Sequence, residues 1–208
     1  TGRAIWVFKG TSVWEAGCQI IVNGTVLAFT GSHNGLYDKN EEIEVGDIVI
    51  DTPTVIHGNI DNNLTVVTKS NAPMQKSVIG VYGRDTKNIP YPIKNPTTIV
   101  YSNVMVGTSM QPVENYSSTE TVKEEYAELY SNNKLCDINA LGEGLINVCG
   151  ENGNVEIGDY ITTSSIPGKG MKQNDDLMRN YTVAKSRENV TFSSPTEVKM
   201  IACTYHCG

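Results

Sequence analysis

The chain has 208 residues, 23 acidic side chains against 16 basic ones, and a formal charge of −7. That is enough chain for one large or two small domains with a real core. At 39% hydrophobic and 19% charged residues it is too apolar for disorder. It has no apolar run near the about 20 residues of a membrane helix, and no Lys/Arg cluster to neutralise phosphates. Neither membrane insertion nor nucleic-acid binding is expected.

Val, Ile and Thr number 21, 18 and 20, against 8 each of Leu and Ala. β-Branched side chains lose rotamer freedom in helices but pack well on a pleated surface. The 19 Gly and 20 Asn supply turns that tolerate positive φ. The predicted class is mainly β: an antiparallel β-sandwich or barrel-like core with one short amphipathic helix.

The opening Thr1-Gly2-Arg3 has no Met and no signal sequence, as expected of a fragment or processed product. Two apolar stretches follow, Ala4-Ile5-Trp6-Val7-Phe8 and Ile20-Ile21-Val22. Asn23-Gly24 after the second predicts a hairpin with strands near 18–22 and 25–30. Gly31-Ser32-His33-Asn34-Gly35 reads as a polar loop, and strands are predicted at 47–51, 64–68 and 77–82. Pro90, Pro92 and Pro96 mark 84–98 as a loop or edge, before a strand at 98–107. Ser117 as cap with Glu120 three residues on, then Val122, Tyr126, Leu129 and Tyr130 along one stripe, predict a helix at about 118–131. Asn132-Asn133 stops it. Strands at 144–149, 159–164, 180–186 and 197–205 complete the chain. Two β halves, 28–110 and 135–208, are expected on either side of this helical insertion.

One stretch echoes another. Glu44-Val45-Gly46-Asp47-Ile48-Val49 resembles Glu156-Ile157-Gly158-Asp159-Tyr160-Ile161: an acid, a β-branched residue, a Gly-Asp turn, then a strand. A duplicated unit and convergent turn chemistry both account for it. The five cysteines (Cys18, Cys136, Cys149, Cys203, Cys207) lack CxxC pairs. Cys136 and Cys149 bracket a predicted hairpin, where pairing competes with a reduced, buried state. Sequons at Asn23, Asn63, Asn115, Asn180 and Asn189 are close to the ~3 expected by chance and do not indicate secretion.

The histidines are His33, His57 and His206. Ser32 and His33 are the candidate catalytic residues, as nucleophile and base. Neighbours on an extended chain point to opposite faces, so the partner would have to be His57 or His206. Cys203, His206 and Cys207 are the candidate metal ligands. On a strand Cys203 and Cys207 lie about 13 Å apart, too far for one tetrahedral zinc. No metal and no cofactor is expected. Asp175-Asp176 could act as paired acids but reads as a turn or helix start, and Thr1 could use its own amine as base. No phosphate loop, dinucleotide fingerprint or zinc-protease helix occurs. No conventional active site is visible.

The stretch from Asn152 through Gly158-Asp159-Tyr160-Ile161-Thr162-Thr163 and Pro167-Gly168-Lys169-Gly170-Met171 to Asp175-Asp176 resembles the C-terminal intramolecular-chaperone, self-cleaving domain of viral appendage proteins. These include phage tail-spike and neck-appendage proteins and relatives in large DNA viruses. Asn180-Tyr181-Thr182-Val183-Ala184-Lys185 and the closing Cys203-Thr204-Tyr205-His206-Cys207-Gly208 fit the same pattern. So do Phe29-Thr30-Gly31-Ser32-His33, Ser77 to Tyr82 with the Gly46-Asp47 turn before it, and Ile138 to Gly144. The likeness covers roughly 28–208, leaving 1–27 as a linker or the end of an upstream β-rod.

The resemblance implies a module that forms a homotrimer and aligns the upstream fibre segment of its own precursor. One backbone cut then releases it. It implies a place in the host cytoplasm during assembly, or on the virion surface if the domain is retained as a structural or receptor-binding tip. Phage members are cut at a Ser–Asp junction; this chain has no Ser-Asp dipeptide. No catalytic residue is therefore carried over, and any enzymatic step is at most a single self-cleavage.

Overall fold

The computed structural model describes residues 31–60, 62–95, 99–106, 109–116 and 121–207. The hairpin expected at 18–30, the capping residues Ser117 and Glu120, Thr1 and Cys18 lie outside them. The strands in chain order are β1 (Gly31–Asp38), β2 (Ile48–Asn59), β3 (Asn62–Lys69), β4 (Val78–Asp85), β5 (Ile99–Val106), β6 (Ser109–Tyr116), β7 (Asn133–Cys149), β8 (Tyr160–Thr163), β9 (Gly170–Lys172), β10 (Thr182–Ser186) and β11 (Val198–His206). Among the described residues β5 and β6 pair only with each other, and the other nine strands form one mixed sheet. The protein is mainly β, as its β-branched content predicts.

The pairings close twice. From β1 the sheet runs through β3, β2, β4 and β7 back to β1; from β7 it runs through β11, β10, β8 and β9 back to β7. The 17-residue β7 serves both circuits, pairing with β1 and β4 along its first part and with β11 and β9 along its second. The expected boundary at 135 thus falls inside a shared strand. Five strands cannot alternate direction around a closed ring, so each circuit must contain a parallel pair. These are β1–β3 and β7–β9, and they make a core expected as antiparallel mixed. Closure also hides strand edges.

Both circuits have the same connectivity. In chain order the first strand pairs in parallel with the third, the third with the second, the second with the fourth, the fourth with the fifth, and the fifth with the first. The Gly-Asp echo immediately precedes the second strand of each. In the first, Asp47 N–H donates to Glu44 O (3.0 Å), Gly46 N–H to Tyr82 O (3.0 Å) and Tyr82 N–H to Asp47 O (2.8 Å). In the second, Asp159 N–H donates to Glu156 O (3.1 Å), Gly158 N–H to Ser186 O (3.0 Å) and Ser186 N–H to Asp159 O (2.8 Å). Gly46 and Gly158 have φ of +92° and +97°, the left-handed value a type II turn demands at its third position. The echo is a repeated structural unit.

Tyr37, Val49, Val67, Tyr82, Cys136 and Ile138, drawn from all five strands, fill the first circuit. Outside it, Leu36, Ile56, Leu64 and Leu135 are covered by Ile93 and by Val122, Tyr126, Leu129 and Tyr130. Those last four are the stripe predicted for the helix. The helix itself is shorter than expected: a 3-10 turn at Glu124–Tyr126 runs into α1 (Ala127–Asn132), while Val122 bridges Lys94 ahead of it. So short a helix is stable through its packing rather than its propensity. The second core gathers Ile146, Val148, Ile161, Val183, Ile201, Cys203 and Tyr205, together with Ile48 and Val81 from the first circuit.

Two further expectations change. Gly31–Gly35, read as a polar loop, belongs to β1, whose Gly35, Leu36 and Tyr37 are all buried because both its faces are covered. Cys136 and Cys149 do not bracket a hairpin. They sit toward opposite ends of one 17-residue strand, Cys136 paired with β1 and β4 and Cys149 with β11, and they are not joined. Cys136, Cys149, Cys203 and Cys207 are free and buried. Burial pushes the thiols of Cys136, Cys203 and Cys207 up to about 12, so little thiolate exists at neutral pH. Iodoacetamide should leave all three unlabelled in the folded chain and label them in denaturant; labelling of the native protein at Cys203 would contradict this packing.

Candidate functional site: a buried lysine between two carboxylates

Gly46, Asp47, Gly168 and Gly170 of the motif residues lie where the two circuits meet. The connection between β8 and β9 folds back so that Gly168 enters the first circuit: Ile48 N–H donates to Gly168 O (2.7 Å) and Gly168 N–H to Ser70 O (2.8 Å). Gly168 has φ of +75°, and a Cβ there would stand 2.8 Å from Asp47 Cγ. Only glycine lets this loop close on the carboxylate.

Lys169 Nζ then contacts Asp47 Oδ1 and lies 3.0 Å from Glu44 Oε2. Asp47 Oδ1 also accepts Asn147 Nδ2 at 2.9 Å, and its Oδ2 accepts the Glu44 main-chain N–H at 3.1 Å. Asn147 donates as well to Val45 O (3.0 Å). The Asp47 and Lys169 side chains are 2% and 13% exposed, whereas Glu44 is open to solvent at 78%. Burial pulls the Lys169 ammonium down, but its bonds to Asp47 and Glu44 outweigh that and hold it above the ordinary lysine value. The same contact lowers Glu44. A lysine acting repeatedly as base or nucleophile needs the opposite shift. At neutral pH the cluster is an ion pair that clamps one circuit to the other.

The second corner is a more open version. Asp159 Oδ2 accepts Glu156 N–H at 2.7 Å and pairs with Lys172 Nζ at 2.8 Å, with the two side chains 15% and 32% exposed.

Of the other sequence candidates, Gly170 and Met171 are buried in β9 and Pro167 is exposed. The Asp175 carboxylate accepts Arg179, Leu177 N–H and Gln173 Nε2, all of which hold it below the ordinary aspartate value, whereas a general acid needs a raised one. Ser32 and His33 lie exposed on β1 opposite Asn139 and Ile138, and neither side chain has a hydrogen-bond partner among the described residues. His57 pairs with Asn63 in the β2–β3 ladder, and no contact joins it to His33. Cys203 and Cys207 face the second core while His206 lies on the other side of the strand, so these three do not converge.

His206 has a buried Nε2 without a partner among the described residues, and its ring meets Tyr160 edge-on at 6.1 Å. Burial and the Lys185 charge lower its pKa. The fold thus favours the neutral ring, and the stability this contributes is lost as pH falls below the unfolded value near 6.5. Ring titration by NMR should give a midpoint below that value; one above it would mean a carboxylate faces the ring.

No spacing rule links Lys169 to Asp47, 122 residues away, or Asn147 to either; only the echo pointed at Asp47. Among the described residues no helix is long and apolar enough to cross a membrane. No family model, no curated protein and no solved structure matches the chain.

Proposed function

We propose that this chain is the C-terminal assembly module of a viral fibre or tail-spike protein, a trimerising chaperone for the upstream segment of its own precursor. The observation that carries this reading is the outward face of β7 and β11. Leu141, Leu145, Met200 and Val198 are 47%, 51%, 47% and 39% exposed there, with Ala202 opposite Leu145 and Met200 opposite Asn147. A one-faced antiparallel pair in water carries polar residues on its outer side; here Leu145, Ala202, Met200 and Val198 make an apolar patch at one end of the face, with Glu143 and Thr204 between it and Leu141, and an exposed apolar patch supports association there. The resemblance of the Gly-Asp and Pro-Gly-Lys-Gly-Met stretches supports the viral assignment. A three-chain β-rod has non-local pairing and a large closure entropy, so prior association of this module raises the effective concentration of the upstream chains.

Light scattering after size-exclusion chromatography tests it. The expected mass is three times 22.7 kDa across a dilution series, falling to one chain for Leu145→Asp/Met200→Asp. A wild-type monomer at every concentration overturns the reading. Tyr91, 66% exposed, and Ile60, fully exposed at the β2–β3 tip, favour a second reading in which the module stays on the particle as a receptor-binding tip. Tyr126 and Tyr130 do not add to it, since both pack on the first circuit. Finding residues 31–207 in purified particles supports the tip; their loss during assembly supports a released chaperone.

A further inference from the structure

The two Gly-Asp corners share a backbone, yet only the first brings together the parts of an amide-forming reaction. An amine, Lys169 Nζ, touches the Asp47 carboxyl group in a place almost closed to water. A second carboxylate, Glu44, lies 3.0 Å from the same nitrogen and can carry its proton. Each Asp47 oxygen is held by a fixed N–H donor, Asn147 Nδ2 at 2.9 Å on one and the Glu44 main chain at 3.1 Å on the other. Negative charge develops on those oxygens when the carboxyl carbon becomes tetrahedral. We infer that Lys169 and Asp47 condense to an intramolecular isopeptide bond, a covalent modification that locks the β8–β9 connection onto the first circuit.

The step balances within these side chains. Glu44 takes a proton from Nζ, and the freed lone pair forms a C–N bond to Asp47 Cγ. A C–O bond then breaks, and the departing oxygen leaves as water with two of the three ammonium protons, one of them relayed by Glu44. The third proton stays on the amide nitrogen. Charge is conserved because one ammonium and one carboxylate disappear together, and no oxidant or cofactor is needed. Glu44 faces solvent and gives the water a way out. An ammonium is a poor nucleophile, so the reaction is slow and happens once. Held contact compensates, since positioned groups react as if at effective concentrations of about 10⁵ M or more. The product is favoured because two buried charges leave the interior.

The second corner is an internal control. Asp159 and Lys172 touch, but among the described residues no second carboxylate contacts Lys172 Nζ and no side-chain amide reaches Asp159. It should remain an ion pair.

Intact-mass spectrometry on the folded full chain, aged at neutral pH, should find it lighter than its sequence by one water. Peptide mapping should then recover a branched peptide joining Asp47 to Lys169, and none joining Asp159 to Lys172. Lys169→Arg and Glu44→Gln should keep the circular-dichroism spectrum of the wild type and the full sequence mass, and Asp47→Asn should lose ammonia in place of water. A folded wild-type chain at full mass overturns the inference. So does a water loss that maps elsewhere, for instance to a succinimide. A linkage that forms equally fast in Glu44→Gln overturns the proton route.

Discussion

Exchanging Lys169 for Met should lower the unfolding free energy by about 3 kcal/mol, while the matching change at Lys172 should cost under about 1 kcal/mol. Both lysines pair with the aspartate of a Gly-Asp corner, so they differ mainly in solvent. Asp47 is 2% exposed, and without Lys169 its carboxylate would keep only the Asn147 and Glu44 N–H donors. Asp159 and Lys172 are 15% and 32% exposed, and water can replace the lost partner. Methionine fills most of the lysine volume, so the loss reports the stranded charge rather than a cavity. Urea titrations of protein whose intact mass shows no covalent link provide the comparison at equal m-values. The sign with pH is also fixed. A lysine whose pKa is raised contributes stability that is complete below its unfolded value near 10.5 and lost as pH climbs through the folded value. The gap between wild type and Lys169→Met should therefore persist through neutral pH and close only in strong alkali. Equal effects at Lys169 and Lys172 would sink the distinction between the corners.

The strands legible in the sequence are those whose β-branched runs stand between turns: β3, β4, β5, β8, β10 and β11 fall close to where they are expected, while β2 begins where expected at 47–51 but runs on to Asn59. β1 and the first part of β7 are not legible because alternation fails there. Leu36 and Tyr37 are buried on opposite faces, one under α1 and its flanking turns and one inside the circuit. The three-residue β9 is too short to carry a pattern. The duplication shows in sequence only as the Glu-x-Gly-Asp echo, since a positive-φ glycine and an aspartate that holds the turn leave a local trace. The matching strand order leaves none, because pairing partners are distant in the chain and β-propensity does not encode who pairs with whom. The same holds for the site. Asp47 is visible in the turn, but Lys169 and Asn147 reach it only through the fold, and Ser32-His33, conspicuous in sequence, is an exposed strand segment without a partner.

The second large effect is expected at Gly144, where alanine should cost about 2–3 kcal/mol. Gly144 lies on β7 opposite Cys203 of β11, and the ring of Tyr205 lies directly over it. Tyr205 is 3% exposed and donates its hydroxyl to Leu145 O at 2.6 Å. A methyl group at 144 would overlap the ring carbons and the hydroxyl, so the ring must lift, break that bond and open the second core. Backbone strain is not the cause, because Gly144 is not among the positive-φ glycines. Gly153→Ala separates the two mechanisms: its φ of +83° and ψ of −163° lie in a region open essentially to glycine, with open space around it, so its cost of about 1–3 kcal/mol is conformational strain alone, which no change at Tyr205 relieves. Tyr205→Phe, which keeps the ring and loses one hydrogen bond, should cost about 1 kcal/mol. Because the steric penalty needs both partners, Gly144→Ala/Tyr205→Leu should be less destabilised than the sum of its single changes. Chemical denaturation of these four variants and of Tyr205→Leu decides it. Strict additivity, or a Gly144→Ala protein as stable as wild type, would mean that the ring does not rest on β7.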